Sequence, residues 1–484
     1  MIQRRPSLFG LERMWFSFLV IAVGVFMSTL DSSMVNIILP AIMEDFQSTL
    51  RATEWVVMIY LLTITATLLF WGYLSDRLGR RRIYAAGLLS FALGSLACAQ
   101  AGALEWLVAF RLLQALGAAM MMATGPAMVK EIFPAHQLGR GLGLIGIAVS
   151  LGLMAGPAFG GLLLELYSWR AVFLITVPVG FLFAALASWL LPAESRVSHR
   201  PFDLAGAALW TGGLCLLSLG ISQASAPGAS SALGLGLAAG GLLLVFLLVK
   251  VELAVPSPFL PIQFFGQRFF SIGVLSAILS FVILFAALIL MPFYLDHILG
   301  LSGTALGLVM MAIPLAVLLV APVAGWLADH IGARLLTTGG LLLSSTGLFL
   351  LAQLTPEQQP WEVAWRLALL GGGQAMFLSP NSASVLGRMG TPHVGASAAL
   401  LATARNLGML LGIAAAGLMF SSFFGAYSGG LDLRDFSPLH QGAFMRALRH
   451  SFLITTGIGL AGALTSWRRG AGHWRPAGSS GVEK

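Results

Sequence analysis

The sequence has little charge: Asp, Glu, Lys and Arg make up 10% of its 484 residues, against about 25% in a typical soluble domain. So few charges cannot cover the water-exposed surface of an ordinary globular enzyme. Cysteine is also scarce. Cys98 and Cys215 are the only two and both lie in apolar runs, which excludes a disulfide framework or a cysteine-based metal site.

The chain also lacks the short motifs of common membrane enzymes and nucleotide-driven pumps. It contains no HExxH zinc motif, no GxxxxGK[ST] phosphate-binding loop and no GxSxG nucleophile elbow, and its eight histidines are scattered. We therefore expect no enzyme, no cofactor, no metal site and no ATP-driven transport.

Long apolar runs are abundant, since 58% of the residues are hydrophobic. A membrane-spanning helix needs about 20 mostly apolar residues, and we find about fourteen such runs. The predicted spans are 15–38, 54–75, 82–100, 104–129, 138–164, 169–191, 204–224, 231–251, 269–295, 303–328, 333–353, 362–386, 394–424 and 447–467.

Basic residues fall mainly on one side of these spans. With both termini in the cytoplasm, 19 of the 27 Lys and Arg residues lie inside and 6 outside, while Arg111 and Arg405 lie within spans. This asymmetry is typical of cytoplasmic loops, so the net charge of +8 indicates topology rather than nucleic-acid binding. We expect an integral protein of a bacterial cytoplasmic (inner) membrane with both termini cytoplasmic.

The two halves carry matching motifs. GYLSDRLGRRR after span 2 matches GWLADHIGAR after span 10 at a shift of 253 residues, and FRLLQALGAAM matches WRLALLGGGQAM at 255. In the third match, the glycines of span 5 pair with Gly408, Gly412 and Gly417 at 256. Three motifs kept in order indicate duplication. Parallel repeats of this kind place a substrate site between the halves, near the bilayer midplane, and work by alternating access.

The predicted fold is an all-α membrane protein of two six-helix bundles related as parallel repeats, with two inserted helices between them. The predicted segments are a cytoplasmic N-terminal segment (1–14), the first bundle (15–191), the inserted helices (192–252), a cytoplasmic linker (253–268), the second bundle (269–467) and a cytoplasmic basic tail (468–484).

Several motifs resemble those of the major facilitator superfamily, over almost the whole chain. The loop after span 2 is similar to the family's signature loop, and Arg111, Gln114 and Gly117 resemble its helix-4 motif. Its antiporter helix-5 motif is matched by Gly152, Gly156, Pro157, Gly160 and Gly161.

Three further segments resemble the fourteen-span drug:proton antiporter branch of that family. They are LDSSMVNIILP at 30–40, WRAVFLITVPVG at 169–180 and ARNLG at 404–408. Thr176 stands where the branch usually has Asn. The resemblance implies a major facilitator fold with fourteen transmembrane helices.

The resemblance also implies a proton-coupled exporter of lipophilic, cationic or amphipathic small molecules, of the multidrug efflux type. The expected partners are the substrate, protons and membrane lipids, with a periplasmic adaptor left open. The alternatives are an exporter or flippase for a lipid, siderophore or other metabolite, and a scaffold or sensor that does not transport.

Asp31 is the one acidic residue that we place deep in a predicted span. Burying a carboxylate there costs at least about 2.5 kcal/mol on insertion scales, which favours a proton-coupling role over a fixed ion pair or a packed, hydrogen-bonded carboxylate. Arg111 is the expected partner of Asp31, because it lies at a similar depth, about 9 Å from the outer end of span 4 at about 1.5 Å per residue. The resemblance associates this arginine with proton transfer; the alternative is an arginine that extends to the outer interface.

The signature loop is expected, by the resemblance, to hold the cytoplasmic ends of helices together in one state; a purely topological role is the alternative. Its residues are Gly72, Asp76, Arg77, Gly79, Arg80 and Arg81, with Asp329 and Arg334 in the second loop. His330 and Ala333 replace the first loop's Arg77 and Arg80, so the charge contacts of the second loop are in doubt. The span-5 glycines permit close helix contact.

By the resemblance, spans 1, 4, 9 and 12 line the substrate cavity. Helical spacing gives the candidates Met27, Met34, Gln114, Met121, Phe281, Phe285, Gln374, Phe377 and Asn381. Methionine and aromatic side chains accommodate varied lipophilic ligands, although plain packing is the alternative for each. Arg405 in span 13 is a further candidate that could contact an anion, pair with Asp31 or bond backbone carbonyls.

Overall fold

A computed structural model of the chain describes residues 8–134, 137–192, 203–224, 231–255, 262–389 and 394–469. Within these ranges the chain forms sixteen α-helices. They are α1 (Leu8–Asp45), α2 (Leu50–Leu78), α3 (Arg80–Ala99), α4 (Leu104–Ile132), α5 (Leu138–Leu166), α6 (Trp169–Leu174), α7 (Thr176–Leu190), α8 (Leu204–Ala224), α9 (Ser231–Ala254), α10 (Arg268–Phe293), α11 (Gly303–Met310), α12 (Ala312–Ile331), α13 (Ala333–Leu351), α14 (Pro360–Gly387), α15 (Val394–Ser428) and α16 (Gln441–Trp467). A helix pairs its internal backbone groups within itself, which apolar runs require in lipid.

Two predicted spans are each broken into two helices. The sixth divides between α6 and α7, and the tenth divides between α11 and α12. Pro178 and Pro314, the third residues of α7 and α12, cannot donate to the carbonyls of Leu174 and Met310, which end the preceding helices. Counting each pair as one, the described helices form fourteen rods.

Twelve of these rods are long and apolar enough to cross a membrane. The other two are α14 and α16, which carry more polar residues but pack inside the second half, α14 against α12 and α13, and α16 against α10, α13 and α15. The chain is thus an integral membrane protein with about twelve spans by hydropathy, and the count of fourteen crossings stays a prediction.

The internal repeat is visible in the backbone. Gly79 and Gly332, 253 residues apart, precede α3 and α13 with φ of 100° and 86°, in a region that a Cβ atom disfavours. Close α3–α4 contact at Gly117 has its counterpart at Gly373 between α13 and α14. The match of Gly117 with Gly372 was therefore wrong by one residue.

That correction also removes the predicted counterpart of Arg111 in the second half. Arg366 was matched to it, but the half-buried Arg366 side chain donates to Gln358 Oε1 (3.0 Å) and to the Glu362 carbonyl (2.8 Å) near the start of α14. Its guanidinium lies 4.9 Å from the Trp365 ring. The described part of the second half therefore carries no buried arginine at the place of Arg111.

The two halves contact each other at one end of the bundle, which we call the closed end. It is the end where α1, α3 and α15 finish and where α2, α4 and α11 begin, opposite the two signature loops. At this end α5 packs against α11, and α2 packs against α15. Both are contacts between one half and the other.

The inserted helices α8 and α9 pack mainly on each other, and α8 also contacts α2 and α15. Toward α2 the contacts are hydrogen bonds: Trp210 Nε1 donates to the Thr65 carbonyl (3.2 Å), and Trp55 Nε1 donates to Ser222 Oγ (2.9 Å). Toward α15 the contact is lined by mainly apolar side chains, namely Leu214, Leu217, Ser218 and Ile221 of α8 and Leu407, Leu410, Leu411 and Ala414 of α15.

Candidate functional site

A fully buried ion pair lies inside the first half. Arg111 Nη1 of α4 donates to Asp31 Oδ2 of α1 at 2.5 Å, and both side chains are 0% exposed. The contact expected from their similar depths is therefore present. The alternative in which Arg111 extends to the outer interface is wrong for this conformation, because an interfacial guanidinium would be exposed.

Gln114, one turn further along α4, completes the pair. Its Nε2 donates to Asp31 Oδ1 (2.8 Å) and to Ser95 Oγ of α3 (2.7 Å), while its Oε1 accepts from Arg111 Nη1 (2.6 Å). Thr176 Oγ1 of α7 donates to the same Ser95 oxygen (3.1 Å). Gln114 was predicted in the substrate cavity; the structure instead places it in this cluster, and both oxygens of Asp31 have a donor.

Helix α2 forms the remaining wall around the guanidinium. Arg111 Nε donates to the Val56 carbonyl (3.0 Å), and its Cζ lies 4.2 Å from the centre of the Tyr60 ring. Such a stacked cation over an aromatic ring is stabilising when both are desolvated. Arg111 Nη2 is buried without a hydrogen-bond partner among the described residues, which leaves one strong donor free.

Sequence reasoning missed Ser95, Tyr60 and the Val56 carbonyl. Serine and tyrosine in apolar spans are common, so the residue types carry no signal alone. Only the packing of α2 and α3 against α4 brings them to the ion pair. A search for polar residues at the depth of Asp31 on every helix could have found Ser95 and Tyr60.

The first signature loop ties α2, α3 and α4 together within the first half. Arg80 Nη2 donates to Asp76 Oδ1 (2.7 Å), and Arg80 Nη1 pairs with Glu131 near the end of α4. Glu131 was not predicted. Arg77 is exposed, whereas Gly72 and Arg81 are half-buried. The predicted role of the loop in gating stays a prediction.

In the second signature loop, the described side chains of Arg334 and His330 make contacts of another kind. Arg334 stacks on the Trp467 ring at 4.0 Å, and its Nε is buried without a partner among the described residues. His330 Nδ1 lies 2.8 Å from the Trp326 carbonyl. The side chain of Asp329 lies outside the described part of the chain. Among the described residues, Arg334 and His330 thus contact an aromatic ring and a backbone carbonyl rather than an acidic side chain.

The residues of the antiporter motif lie on two faces of α5, and each face contacts a different helix. Gly152, Gly156 and Gly160 pack against α1, and the Met34 Cα lies 3.2 Å from where a Gly160 Cβ would stand. Pro157 and Gly161 pack instead against the backbone of Gly307 and Gly303 in α11. One helix therefore contacts both the helix that carries Asp31 and the opposite half.

The remaining cavity candidates are buried within their own halves. Met27, Met34, Met121, Phe281, Phe285, Gln374, Phe377 and Asn381 are each at most 7% exposed. Phe281 and Phe285 pack on Gly408 and Gly412 of α15, and Gln374 accepts from Ser280 (2.7 Å). Neighbouring helices thus cover these side chains in this conformation, because helical spacing defines a face but not what covers it, and their assignment to the substrate cavity stays a prediction.

Asn381 lies at the signature end rather than in a central cavity. Its Nδ2 donates to the Gly273 carbonyl (3.2 Å), and its Oδ1 accepts from Arg469, just beyond the end of α16. Burial, with a smaller contribution from nearby Arg388, lowers the pKa of Arg469 to about 10. This group joins three helix ends of the second half.

Arg405 lies about a third of the way along α15 and is partly exposed. No described side chain lies within hydrogen-bond or ion-pair distance of its guanidinium. Pairing with Asp31, one of its three expected roles, is excluded here because Asp31 is paired with Arg111. Arg405 therefore carries a positive charge without a described partner inside a predicted span.

Glu54 is a buried acidic residue that the sequence analysis missed. Its side chain is 3% exposed. The predicted span 2 began at this residue, whereas α2 begins earlier, at Leu50, so that Glu54 lies inside the helix rather than at its end. Asp31 is therefore not the only carboxyl buried within a helix of this chain.

Comparison with known proteins identifies the fold and the family. The model of the Major Facilitator Superfamily matches residues 21–297 and 273–483. The chain belongs to this superfamily. It is accordingly a membrane transporter and not an enzyme.

Two relatives and one solved structure illustrate where the chain lies in the Major Facilitator Superfamily. It is 33% identical to the riboflavin transporter RibZ of Clostridioides difficile over 94% of this chain and 97% of the relative. It is 28% identical to the methyl viologen resistance protein SmvA of Salmonella typhimurium over 93% and 95%. A bacterial homologue of the human lysosomal transporter Spinster, in an inward-facing and unoccupied conformation, superposes with a TM-score of 0.71 at 15% identity over 96% and 99%, which shows the fold alone.

Proposed function

We propose that the protein is a proton-coupled antiporter that exports amphipathic or cationic small molecules by alternating access. It would belong to the fourteen-span drug:proton branch and lie in the cytoplasmic membrane with both termini inside. The observation that carries the proposal is the buried cluster of Asp31, Arg111 and Gln114. A transporter without proton coupling has no evident use for a carboxylate at such cost in the membrane.

The cluster can exist in two charge states. With Asp31 ionised, its two oxygens accept from Arg111 and Gln114, and the pair is neutral overall. Protonation of Asp31 removes the charge–charge attraction and leaves the guanidinium free to change partners. Since Asp31 is fully buried here, the proton can enter or leave only when the helices around it move.

Helix α5 is the element through which that change could reach the substrate pathway. Asp31 lies on α1, α1 packs along the Gly152, Gly156 and Gly160 face of α5, and the other face of α5 meets α11. A shift of α1 on protonation would therefore be felt at the contact between the two halves. Close glycine contacts transmit small shifts because they have no side chains to absorb them.

The relatives suggest two substrate classes. Resistance to methyl viologen indicates export of an organic cation, and riboflavin transport indicates a planar, hydrogen-bonding metabolite. Arg405, unpaired and partly exposed, disfavours cations close to it and can donate to a polar metabolite. A metabolite exporter is therefore the second candidate function.

Transport by purified protein in proteoliposomes with an imposed pH gradient tests the proposal, with methyl viologen and riboflavin as probes. Wild type should accumulate one of them when the gradient is imposed. Asp31→Asn should fold but lose gradient-driven accumulation, since Asn cannot release a proton. The matched control is Glu44→Gln, an exposed acid at the end of the same helix, which should transport like wild type. Gradient-driven uptake by Asp31→Asn at the wild-type rate would refute the coupling role.

A further inference from the structure

The contact between the halves at the closed end is made twice, in a nearly symmetric way. In the first contact, Gly161 of α5 meets Gly303 and Gly307 of α11. In the second, Gly417 of α15, the repeat partner of Gly161 at a shift of 256 residues, meets α2. Glycine at 161 and 417 allows the helices to approach closely.

The two contacts differ in the residues that α11 and α2 supply. A shift of 253 residues, which relates the signature loops, pairs Leu50 with Gly303 and Glu54 with Gly307. A glycine therefore meets Gly161, whereas a carboxyl meets Gly417. A Cβ atom on Gly417 would overlap the Glu54 carboxyl, so the carboxyl lies directly on the backbone of the opposite half.

Among the described residues, none offers this carboxyl a counter-charge. Glu54 Oε1 is buried and has no hydrogen-bond partner in that part of the chain. No described group lies within ion-pair distance of the carboxyl. A lone carboxylate buried in this way costs several kcal/mol, whereas a neutral carboxyl costs far less.

The charged residues on neighbouring helices are engaged or exposed. Arg51, one turn before Glu54 on α2, donates to the Ser222 carbonyl of α8 (3.1 Å). Arg111 of α4 is held by Asp31 of α1, and Glu105 of α4 is exposed at the closed end, as is Glu44 of α1. Asp45, also exposed at the end of α1, pairs with Arg170 (2.9 Å). Between Gly408 and Ser428, α15 carries no charged residue, and neither does α8.

We propose that Glu54 is a second proton-binding site, and that closing this end of the transporter takes up a proton there. When the halves separate, water reaches the carboxyl and it can ionise. When they close on Gly417, only the protonated form is accommodated. The proton exchanges with the side of the membrane that the closed end faces. The protonation of Glu54 therefore depends on the pH of that side, and Glu54 does not carry protons across the membrane. This inference rests on the proposed function only in taking that side to be the outer one.

A distance measurement tests the proposal directly. Spin labels are placed by Gln100→Cys and Gln353→Cys, exposed positions that follow α3 and α13 at the closed end. Cys215 is replaced by Ala, and Cys98 is left in place because it is buried. Double electron–electron resonance in nanodiscs then gives the ratio of closed to open molecules as a function of pH.

The expected sign follows from proton uptake on closing. The ratio of closed to open molecules should rise as pH falls, by up to about tenfold per pH unit for one linked proton. In an Asp31→Asn background, which removes the proposed response of the first carboxyl, Glu54→Gln should remove this dependence and remain closed at alkaline pH. Glu54→Ala, which needs no buried partner, is the second variant and should also be independent of pH.

Two further variants separate an effect of Glu54 from effects of the other acidic residues. Glu105→Gln, which neutralises an exposed acid at the same end, should titrate like wild type. Because protonation of Asp31 is itself proposed to act on this contact, the titration is repeated with Asp31→Asn, where the remaining pH dependence is assigned to Glu54 whatever the outcome of the coupling test. A ratio that does not change with pH in Asp31→Asn, or one that still titrates when Asp31→Asn is combined with Glu54→Gln or Glu54→Ala, would overturn the proposal.

Discussion

Adding a single methyl group at Gly161 should open the closed end. A Cβ there would overlap the Gly303 carbonyl of the opposite half and approach the Gly307 Cα to 3.2 Å. The main neighbour is backbone, which cannot rotate away as a side chain can. Gly161→Ala should therefore act on the contact between the halves and on nothing else in α5.

The size of the effect can be worked from the packing. An extra carbon forced into a well-packed contact costs about 1–3 kcal/mol, and here only the closed state bears that cost. At about 1.4 kcal/mol per factor of ten, the ratio of closed to open molecules should fall by about 5- to 140-fold. The gain in helix propensity from Gly to Ala, about 0.5–1 kcal/mol, is present in both states and cancels in this ratio.

The spin-labelled pair at 100 and 353 measures that ratio, and α5 offers two controls. Gly146→Ala adds its methyl where no atom lies within 4 Å, so it should leave the ratio unchanged. Gly152→Ala would overlap Thr29 of α1, within the same half, so opening gives no relief and the melting temperature should fall instead. An unchanged ratio in Gly161→Ala, or an equal change in Gly146→Ala, would refute the steric reasoning.

Two further predictions concern the charged residues Arg405 and Glu131. Arg405→Gln should raise transport of methyl viologen, a dication, relative to riboflavin by about 30- to 700-fold, because a guanidinium within about 10 Å repels each of the two positive charges by about 1–2 kcal/mol. Parallel uptake rates measure this ratio, and an unchanged ratio would place the substrate away from α15. Glu131→Gln should destabilise the protein by less than about 1 kcal/mol, since its pair with Arg80 is partly exposed. Urea unfolding in detergent checks the latter, and a larger loss would mean that the pair is more strongly coupled than its exposure indicates.

The sequence was most informative where one helix determines the outcome. Helical rise placed Asp31 and Arg111 at similar depths, and the structure pairs them at 2.5 Å. The breaks at Ile175 and Met311 were not predicted, although Pro178 and Pro314 three residues later are visible in the sequence. A proline near the start of an apolar run can continue a helix or end one, and local sequence does not decide which.

Sequence reasoning failed where burial depends on a distant element. Gln114 and Phe281 each lie on a predicted inward face, but only the packing of helices decides whether that face meets a cavity or another helix. Glu54 is covered by Gly417, 363 residues away in the chain. Its position near a helix end made it indistinguishable from an exposed loop acid.

The unequal contacts of α8 have a mechanical consequence. Directional hydrogen bonds attach α8 to α2, whereas mainly apolar side chains line its contact with α15. Breaking hydrogen bonds resists sliding more than exchanging one apolar contact for another does. When the halves move, α8 and α9 should therefore move together with the first half, while the second half slides along the side of α8 that faces α15.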